Sequence, residues 1–177
     1  MLRVGLTGGL ASGKSFVARR LGELGCHIVR ADDLGHEVMA PGGEAWGAVV
    51  AAFGNGILKE DGTIDRRRLG ELVFGQPERL AALSAIMHPP IFRRQERLLA
   101  EAARVDPRGI AVVEAAIMFE TGSESRYRKI IVAACSQEQQ IERAMQRDGL
   151  SRDEVLSRLA RQLPLAEKVK RADYVID

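Results

Sequence analysis

A glycine-rich octapeptide near the N-terminus constrains the fold and the ligand of this chain more than any other feature. Residues 8–15 read GGLASGKS, which matches the pattern G-x-x-x-x-G-K-[ST], and they follow the apolar run of residues 4–6. This pattern is typical of a phosphate-binding loop between a strand and a helix. Its glycines allow positive φ angles, so successive backbone N–H groups can turn inward around an anion. The sequence therefore predicts that the chain binds a nucleoside triphosphate.

The end of the octapeptide supplies the charge that the backbone lacks. A helix N-terminus contributes about 1 kcal/mol to anion binding, which is too little for a multiply charged triphosphate. We therefore expect Lys14 to place its ammonium at the β- and γ-phosphates and the Ser15 hydroxyl to ligate Mg²⁺. The residues predicted to bind the nucleotide at this loop are Gly8, Gly9, Ala11, Ser12, Gly13, Lys14, Ser15 and Phe16.

Apolar runs separated by helical patterns predict the architecture. They indicate an α/β fold of the P-loop NTPase type, with a parallel sheet flanked by helices and right-handed crossovers. Strands are expected at residues 3–7, 26–31, 109–113, 129–134 and 174–176, and the first helix at residues 16–24.

The chain is long enough for one good core. Its 177 residues are 46% hydrophobic, which favours a single domain with insertions. We predict a helical insertion at residues 34–105 and a helical lid at residues 138–171. The core of the domain is expected in residues 1–33, 106–137 and 172–177.

The charge balance indicates small-molecule partners. Lys and Arg total 26 against 24 for Asp and Glu, a net charge of +2, so no nucleic-acid or membrane surface is expected. The N-terminus leads straight into a core strand without the pattern of a signal peptide, which predicts a cytoplasmic location. Cys26 and Cys135 lie in apolar surroundings and are expected to be reduced core residues without a chemical role.

Two acidic residues follow the second predicted strand. The carboxyl ends of parallel strands form the ligand crevice, so Asp32 is well placed to accept a proton from a hydroxyl group that receives a phosphoryl group. Asp33 is the competing candidate, although it also suits the N-cap position of the next helix. The chain has no Asn-Lys-x-Asp sequence that would read guanine, which argues against a GTPase switch.

The predicted lid is rich in arginine. Arg143 and Arg147 are four residues apart and share one helix face, as Arg158 and Gln162 are expected to do. Such a face can close over phosphates. Arg147 is favoured as a phosphate contact because Asp148-Gly149 ends the helix beside it, which is a natural hinge for a mobile lid. The alternative is a solvated helix with ordinary i,i+4 ion pairs to Glu142 or Glu154.

Motifs along nearly the whole chain carry a family resemblance. They are Leu6-Thr7-Gly8-Gly9 with the loop, Ala31-Asp32, Asp65-Arg66 with Leu69 and Val73-Phe74, His88-Pro89, residues 117–120 (IMFE), residues 140–148, Gln162-Leu163-Pro164, and residues 172–177 (ADYVID). Taken together, they resemble the dephospho-CoA kinase family.

The resemblance implies transfer of the ATP γ-phosphoryl group to the ribose 3′-hydroxyl of dephospho-CoA, giving coenzyme A and ADP. It implies ATP and dephospho-CoA as substrates, Asp32 as the base, and Arg147 as a group that neutralises the phosphates. It also implies that the helical insertion cradles the CoA precursor, with Arg66 and His88 as candidate contacts. Without the resemblance, other readings stay open: a nucleoside, nucleotide, shikimate or gluconate kinase, or a nucleotide-gated regulator without an acceptor.

The chain departs from the family pattern at several positions. Arg30-Ala31-Asp32 stands where the family usually has Asp-Ala-Asp, and Arg30 is expected to add a charge near Asp32 that favours its ionised form. Ala116 replaces a proline, and Glu114 is a candidate outer-shell acid near Mg²⁺. The His88-Pro89-Pro90 sequence also suits a helix N-terminus. Past the position of Asp177, the family usually has an Asn-containing loop and a final helix that contribute to base binding.

Overall fold

The computed structural model describes all residues from Met1 to Asp177. The chain divides into two compact units. The first unit comprises Met1–Arg30 and Leu99–Asp177, and the second comprises Ala31–Leu98. None of the helices combines the length and the apolar composition that crossing a bilayer requires.

The first unit is built on a parallel sheet of five strands. These are β1 (Leu2–Gly8), β2 (His27–Arg30), β3 (Ile110–Glu114), β4 (Lys129–Ala133) and β5 (Tyr174–Ile176). Their order is β2-β3-β1-β4-β5, and every neighbouring pair is parallel. The predicted α/β fold with a parallel sheet is confirmed, and each strand end lies within one residue of its predicted position.

Eight α-helices accompany the sheet. They are α1 (Lys14–Glu23), α2 (Ala31–Met39), α3 (Trp46–Phe53), α4 (Arg66–Val73), α5 (Pro77–Val105), α6 (Gln137–Asp148), α7 (Arg152–Leu159) and α8 (Leu165–Lys170). Helix α1 begins two residues before its predicted start, directly after Gly13 of the glycine-rich loop. Helix α6 ends at Asp148 with Gly149 as its left-handed C-cap, as the sequence predicts.

Alternate residues of β4 pack on opposite faces of the sheet, because side chains of a strand point to its two sides in turn. Ile131 and Ala133 join the core that β1 forms with Val17 and Ala18 of α1. Ile130 and Val132 join the core of the other face, against which α8 packs. The sheet is therefore covered on both sides, as expected for parallel strands.

The second unit has an apolar core of its own. Val38 of α2, Val49 of α3 and Leu69 of α4 are buried there, with Ile57 and Ile64 from the loop between α3 and α4. The carboxylate of Asp65 caps α4 by accepting hydrogen bonds from two backbone N–H groups of its first turn.

The N-cap interpretation of Asp33 is wrong. Helix α2 begins at Ala31, directly after β2, so Asp32 and Asp33 both lie in its first turn. Carboxylates in a first turn are favoured by the partial positive charge of the helix N-terminus, and this interaction needs no capping position.

The interpretation of His88-Pro89-Pro90 as a helix N-terminus is also wrong. Helix α5 begins at Pro77 and runs through both internal prolines. Its apolar residues keep helical spacing across the proline pair, and Met87 and Ile91 both pack on the core of the second unit. Packing of this apolar face outweighs the local preference of proline for a helix start.

The expected shared face of Arg158 and Gln162 does not form. Helix α7 ends at Leu159, and Gln162 lies in the turn that leads to Pro164. Proline disfavours helical backbone at the residue before it, so the helix stops short of this segment.

Edge strand β5 is attached to β4 through Asp173. The carboxylate accepts hydrogen bonds from the Lys129 ammonium at 2.7 Å and from the backbone N–H of Ile130 at 2.8 Å. The Lys129 hydrogen bond, followed by that from Ile130, holds the pKa of Asp173 below its usual range.

We expect Asp173→Asn to lower the melting temperature near neutral pH. Because the folded-state pKa is lowered, the ionised carboxylate stabilises the fold above its unfolded-state pKa, and this is lost as pH falls through the folded-state pKa. Thermal unfolding measured between about pH 7 and about pH 2 should show the melting temperatures of the parent and of Asp173→Asn converging in acid. Glu60→Gln, at an exposed turn, is the control. A difference that persists unchanged into acid contradicts this account.

Candidate active site

The glycine-rich loop adopts the backbone of an anion-binding nest. Gly13 has φ +93° and Ala11 has φ +53°, the one positive φ at a residue other than glycine. Alternation of left- and right-handed residues turns successive N–H groups to one side. The N–H groups of Lys14 and Ser15, the first two residues of α1, follow directly and have no acceptor within the helix.

Gly8 is required for close packing at the start of the loop. A Cβ atom placed on Gly8 would lie 2.7 Å from the carbonyl oxygen of Ala133 and would also clash with the Ser12 hydroxyl. The Ala133 oxygen belongs to the backbone of β4, which pairs with β1 at this point, so it cannot give way easily. The loop therefore leaves the sheet where only glycine fits.

Glu114 joins the two chemically active side chains of the loop. Its Oε1 accepts a hydrogen bond from the Ser15 hydroxyl at 2.7 Å and one from the Lys14 ammonium at 3.2 Å. Glu114 is the last residue of β3, which pairs directly with β1. Adjacent parallel strands thus bring the carboxylate and the loop together, as expected at the carboxyl edge of such a sheet.

The Glu114 carboxylate is buried and only partly satisfied. The residue is 4% exposed, and its Oε2 has no hydrogen-bond partner. Arg30 forms an ion pair with this oxygen, and its Nε lies 3.5 Å away. Arg30 and Glu114 are cross-strand neighbours, and the expected effect of Arg30 on Asp32 stays a prediction.

A cavity of about 430 Å³ opens over the loop. It is lined by residues of the loop, by Phe16, and by Arg143, Gln146 and Arg147 of α6. The two arginines predicted to share a helix face thus face the same cavity as the loop. The guanidinium of Arg143 lies close to Gly13, within 3.9 Å of where a Cβ atom would stand. Two cationic side chains and an N–H nest together suit a polyphosphate.

Arg147 pairs with its neighbour Asp148. Its Nε and one terminal nitrogen donate to the two carboxylate oxygens of Asp148 at 2.8 and 2.9 Å, a bidentate geometry. This hydrogen bonding lowers the pKa of Asp148 below its usual range. The ion-pair partner of Arg147 is therefore the adjacent residue on the chain.

Phe16 presents its ring at the cavity. It is 57% exposed, although it is a large apolar side chain in the first turn of α1. The guanidinium carbons of Arg19 and Arg20 lie 5.2 and 5.8 Å from the ring centroid, which is cation–π range.

Three predicted site residues belong to the second unit. Asp32 lies in the first turn of α2, two residues after β2 ends. Arg66 is the exposed first residue of α4. His88 is half-buried within α5, with its ring centroid 5.7 Å from that of Phe92. Their roles stay predictions.

Sequence reasoning did not foresee that three polar residues hold the backbone of the loop, although it placed Gln162 on a helix face with Arg158. Gln140, Gln162 and Lys168 each hydrogen-bond to its backbone. Gln140 and Gln162 lie within the motifs of the family resemblance, so their positions were marked although their function was not. Cys26 and Cys135 are half-buried free cysteines, and desolvation by partial burial raises the pKa of each thiol.

Comparison with known proteins gives one consistent result. The family model described as dephospho-CoA kinase matches residues 2–177. A dephospho-CoA kinase of Carboxydothermus hydrogenoformans is 44% identical over 174 residues, covering 98% of this chain and 84% of that protein. One from Geobacter metallireducens is 46% identical over 177 residues, covering 100% of this chain and 88% of that protein. The chain belongs to the dephospho-CoA kinase family.

Solved structures agree with membership of the dephospho-CoA kinase family. A crystal structure of a Thermus thermophilus protein matches with a TM-score of 0.84 at 36% identity, covering 98% of this chain and 86% of that one. A dephospho-CoA kinase from Campylobacter jejuni matches with a TM-score of 0.60 at 28% identity and the same coverage.

The activity and the substrates expected from the resemblance are confirmed. The activity is that of a dephospho-CoA kinase, with ATP and dephospho-CoA as substrates, in the final step of coenzyme A biosynthesis. The other kinases and the nucleotide-gated regulator that the residues alone left open are set aside.

For this dephospho-CoA kinase family member, we expect Gly8→Ala to weaken ATP binding and to lower the free energy of unfolding by about 1–3 kcal/mol. The added methyl group forces the loop away from β4, and overpacking of this kind costs that much. Gly70→Ala is the control, because Gly70 lies on an exposed helix position with open space around it.

The control should raise the free energy of unfolding by about 0.5–1 kcal/mol and leave the ATP affinity unchanged. Urea unfolding and ATP titration measure both quantities. Unaltered ATP affinity in Gly8→Ala would show that the loop tolerates displacement from the sheet.

Proposed function

We propose that the loop, the Glu114 network and Asp32 together transfer the γ-phosphoryl group of ATP to the ribose 3′-hydroxyl of dephospho-CoA. One observation carries the proposal: Glu114 binds both Lys14 and Ser15 at the mouth of the anion nest. Phosphoryl transfer depends mostly on positioning and on charge stabilisation, and this arrangement fixes both a cation and a hydroxyl before substrate arrives.

The loop binds the polyphosphate of ATP in this proposal. Its N–H groups take the role of an anion nest, and Lys14 adds a full positive charge beside it. Lys14 is only 12% exposed, so its ammonium acts in a region with little water, where electrostatic interactions are stronger. Arg143 contributes a second cation from α6, at the side of Gly13.

The residues present fit Mg²⁺. The ion prefers hard oxygen ligands, keeps several waters, and is usually held by one or two carboxylates with substrate phosphates. Ser15 supplies a hydroxyl, and the buried Oε2 of Glu114 has no hydrogen-bond donor of its own. We assign Ser15 as a direct ligand and Glu114 as the acid that holds the ion's water shell. Bound there, the ion would neutralise charge that develops on the phosphates.

Asp32 acts as the base. It follows β2 by two residues, and the last residue of β2 is the cross-strand neighbour of Glu114. A carboxylate at this position accepts the proton of the attacking hydroxyl as the new bond to phosphorus forms. Asp33, the other carboxylate of this turn, is the residue to compare with Asp32.

Arg147 stabilises the transferring group. Its bidentate pair with Asp148 is 60% exposed on the arginine side, so exchange of this partner for a phosphate costs little. The planar guanidinium can contact two phosphate oxygens at once, which an ammonium cannot do. Residues 138–171 form the lid that delivers it.

The predicted helical insertion binds the acceptor in this proposal. Residues 34–105, mostly helical, hold the CoA precursor, and Arg66 and His88 contact it. The exposure of Arg66 at the start of α4 leaves its guanidinium available for a phosphate of the acceptor. A cytoplasmic location stays a prediction from the sequence.

Product analysis tests the function directly. Incubation of the chain with ATP, Mg²⁺ and dephospho-CoA should give equal amounts of ADP and coenzyme A, and ADP release should stop when dephospho-CoA is omitted. Mass spectrometry of the product should place the new phosphate on the ribose 3′-oxygen. Equal turnover with shikimate, gluconate or nucleoside monophosphates, and none with dephospho-CoA, would contradict the proposal.

For the base, we expect Asp32→Asn to lower kcat about 10²- to 10⁴-fold while ATP affinity stays unchanged, because only proton transfer is lost. Asp33→Asn is the matched control on the same turn, with kcat expected within about threefold of the parent, below the effect of losing a positioned base. Steady-state ADP release and ATP titration provide the two measurements. A larger loss in Asp33→Asn than in Asp32→Asn would move the base to Asp33.

A further inference from the structure

Three side chains from residues 137–170 hold the backbone of the phosphate-binding loop. The amide nitrogen of Gln140, on α6, donates to the carbonyl oxygen of Leu10 at 2.8 Å. The amide oxygen of Gln162, before α8, accepts from the N–H of Leu10 at 3.0 Å. The ammonium of Lys168, on α8, donates to the carbonyl oxygen of Gly8 at 3.3 Å. We call these three residues the loop clamp.

Lys168 is the charged member of the loop clamp, and it is fully buried at 0% exposure. Its ammonium also donates to the carbonyl oxygen of Ala116 at 2.8 Å and pairs with Glu120 at 2.8 Å. The same oxygen of Glu120 accepts from the N–H of Leu163. A buried ammonium is costly without partners, and this one has two carbonyl acceptors and an ion pair.

The partners of Lys168 join separate parts of the first unit. Gly8 ends β1 and opens the loop, Ala116 follows β3, and Glu120 lies in the next turn. Thr7 donates to the same Ala116 oxygen, which ties the two strand ends together. One side chain of α8 therefore fixes the segments on which both the loop and Glu114 are mounted.

The orientation of these carbonyl groups matters for an anion. A loop binds phosphate when its N–H groups point inward, and a carbonyl oxygen turned inward would repel the phosphate. The carbonyl oxygens of Leu10 and Gly8 accept hydrogen bonds from Gln140 and Lys168, so both carbonyl groups are held toward protein donors. The buried charge of Lys168 adds positive potential next to the loop where water cannot screen it.

We infer that Lys168, with Gln140 and Gln162, is a positioning residue that holds the loop backbone in its phosphate-binding shape. This inference rests on the proposed function of the loop. It connects the α6–α8 region to ATP binding through hydrogen bonds beneath the loop, apart from the arginines that face the cavity. The loop clamp acts on ATP and leaves binding of dephospho-CoA unaffected.

The test compares Lys168→Met with Lys170→Met. Methionine matches the apolar stem of lysine but lacks the ammonium group that donates. Lys170 lies on the same helix, is exposed, and pairs with Glu167. We expect Lys168→Met to raise the Kd and KM for ATP about 10- to 100-fold, the range for loss of charged hydrogen bonds, with the KM for dephospho-CoA within about twofold. Lys170→Met should match the parent.

A second variant keeps the inference testable if Lys168→Met does not fold. Gln162→Leu removes a hydrogen bond to Leu10 at a half-buried position. It should raise the Kd for ATP about three- to tenfold without affecting the KM for dephospho-CoA. Melting temperatures measured on each variant separate loop positioning from loss of stability.

Unchanged ATP affinity in every folded loop-clamp variant, with only a lower melting temperature, would overturn the inference and leave a structural role. Equal increases in both KM values would overturn it as well. The parent enzyme is assayed alongside. Absence of coenzyme A formation by the parent would refute the proposed function, whereas normal parent activity with unaltered ATP affinity in the variants refutes the loop clamp alone.

Discussion

The buried carboxylate of Glu114 is the interaction on which the site depends. It is almost inaccessible to water and receives hydrogen bonds from both Lys14 and Ser15. A carboxylate left alone at this depth would be strongly destabilising, so the loop must bring its lysine to this point when the chain folds. Folding of the sheet and formation of the site are therefore the same event, because β3 places the acid and β1 places the loop.

The rest of the first unit maintains this arrangement from outside. The close approach of Gly8 to β4 fixes where the loop leaves the sheet. The loop clamp holds the backbone of Gly8 and Leu10 from α6, α8 and the segment before α8. The arginines of α6 approach the same loop over the cavity, and one of them already holds a carboxylate in the geometry that suits a phosphate. Support and ligand binding thus come from one helical region.

Sequence patterns predicted much of this and failed for identifiable reasons. The parallel sheet and the loop could be predicted because apolar runs and the glycine spacing are local signals. The start of α2 could not, since Asp33 looks like a cap until β2 is seen to lead directly into the helix. Lys168 has no local signature, because its burial arises from acceptors 48 to 160 residues away along the chain. For Glu114, the sequence suggested only a role as an outer-shell acid near Mg²⁺ and did not predict its contacts with Lys14 and Ser15.

Substitution Glu114→Gln tests the central claim most directly. Glutamine keeps the size of the side chain and can still accept a hydrogen bond, but it lacks the charge that holds Lys14. We predict that kcat/KM for ATP falls about 10- to 100-fold, as expected for an outer-shell partner of a metal site, and that half-maximal activity needs more Mg²⁺. A variant that matches the parent in both kcat/KM and Mg²⁺ requirement would contradict the account.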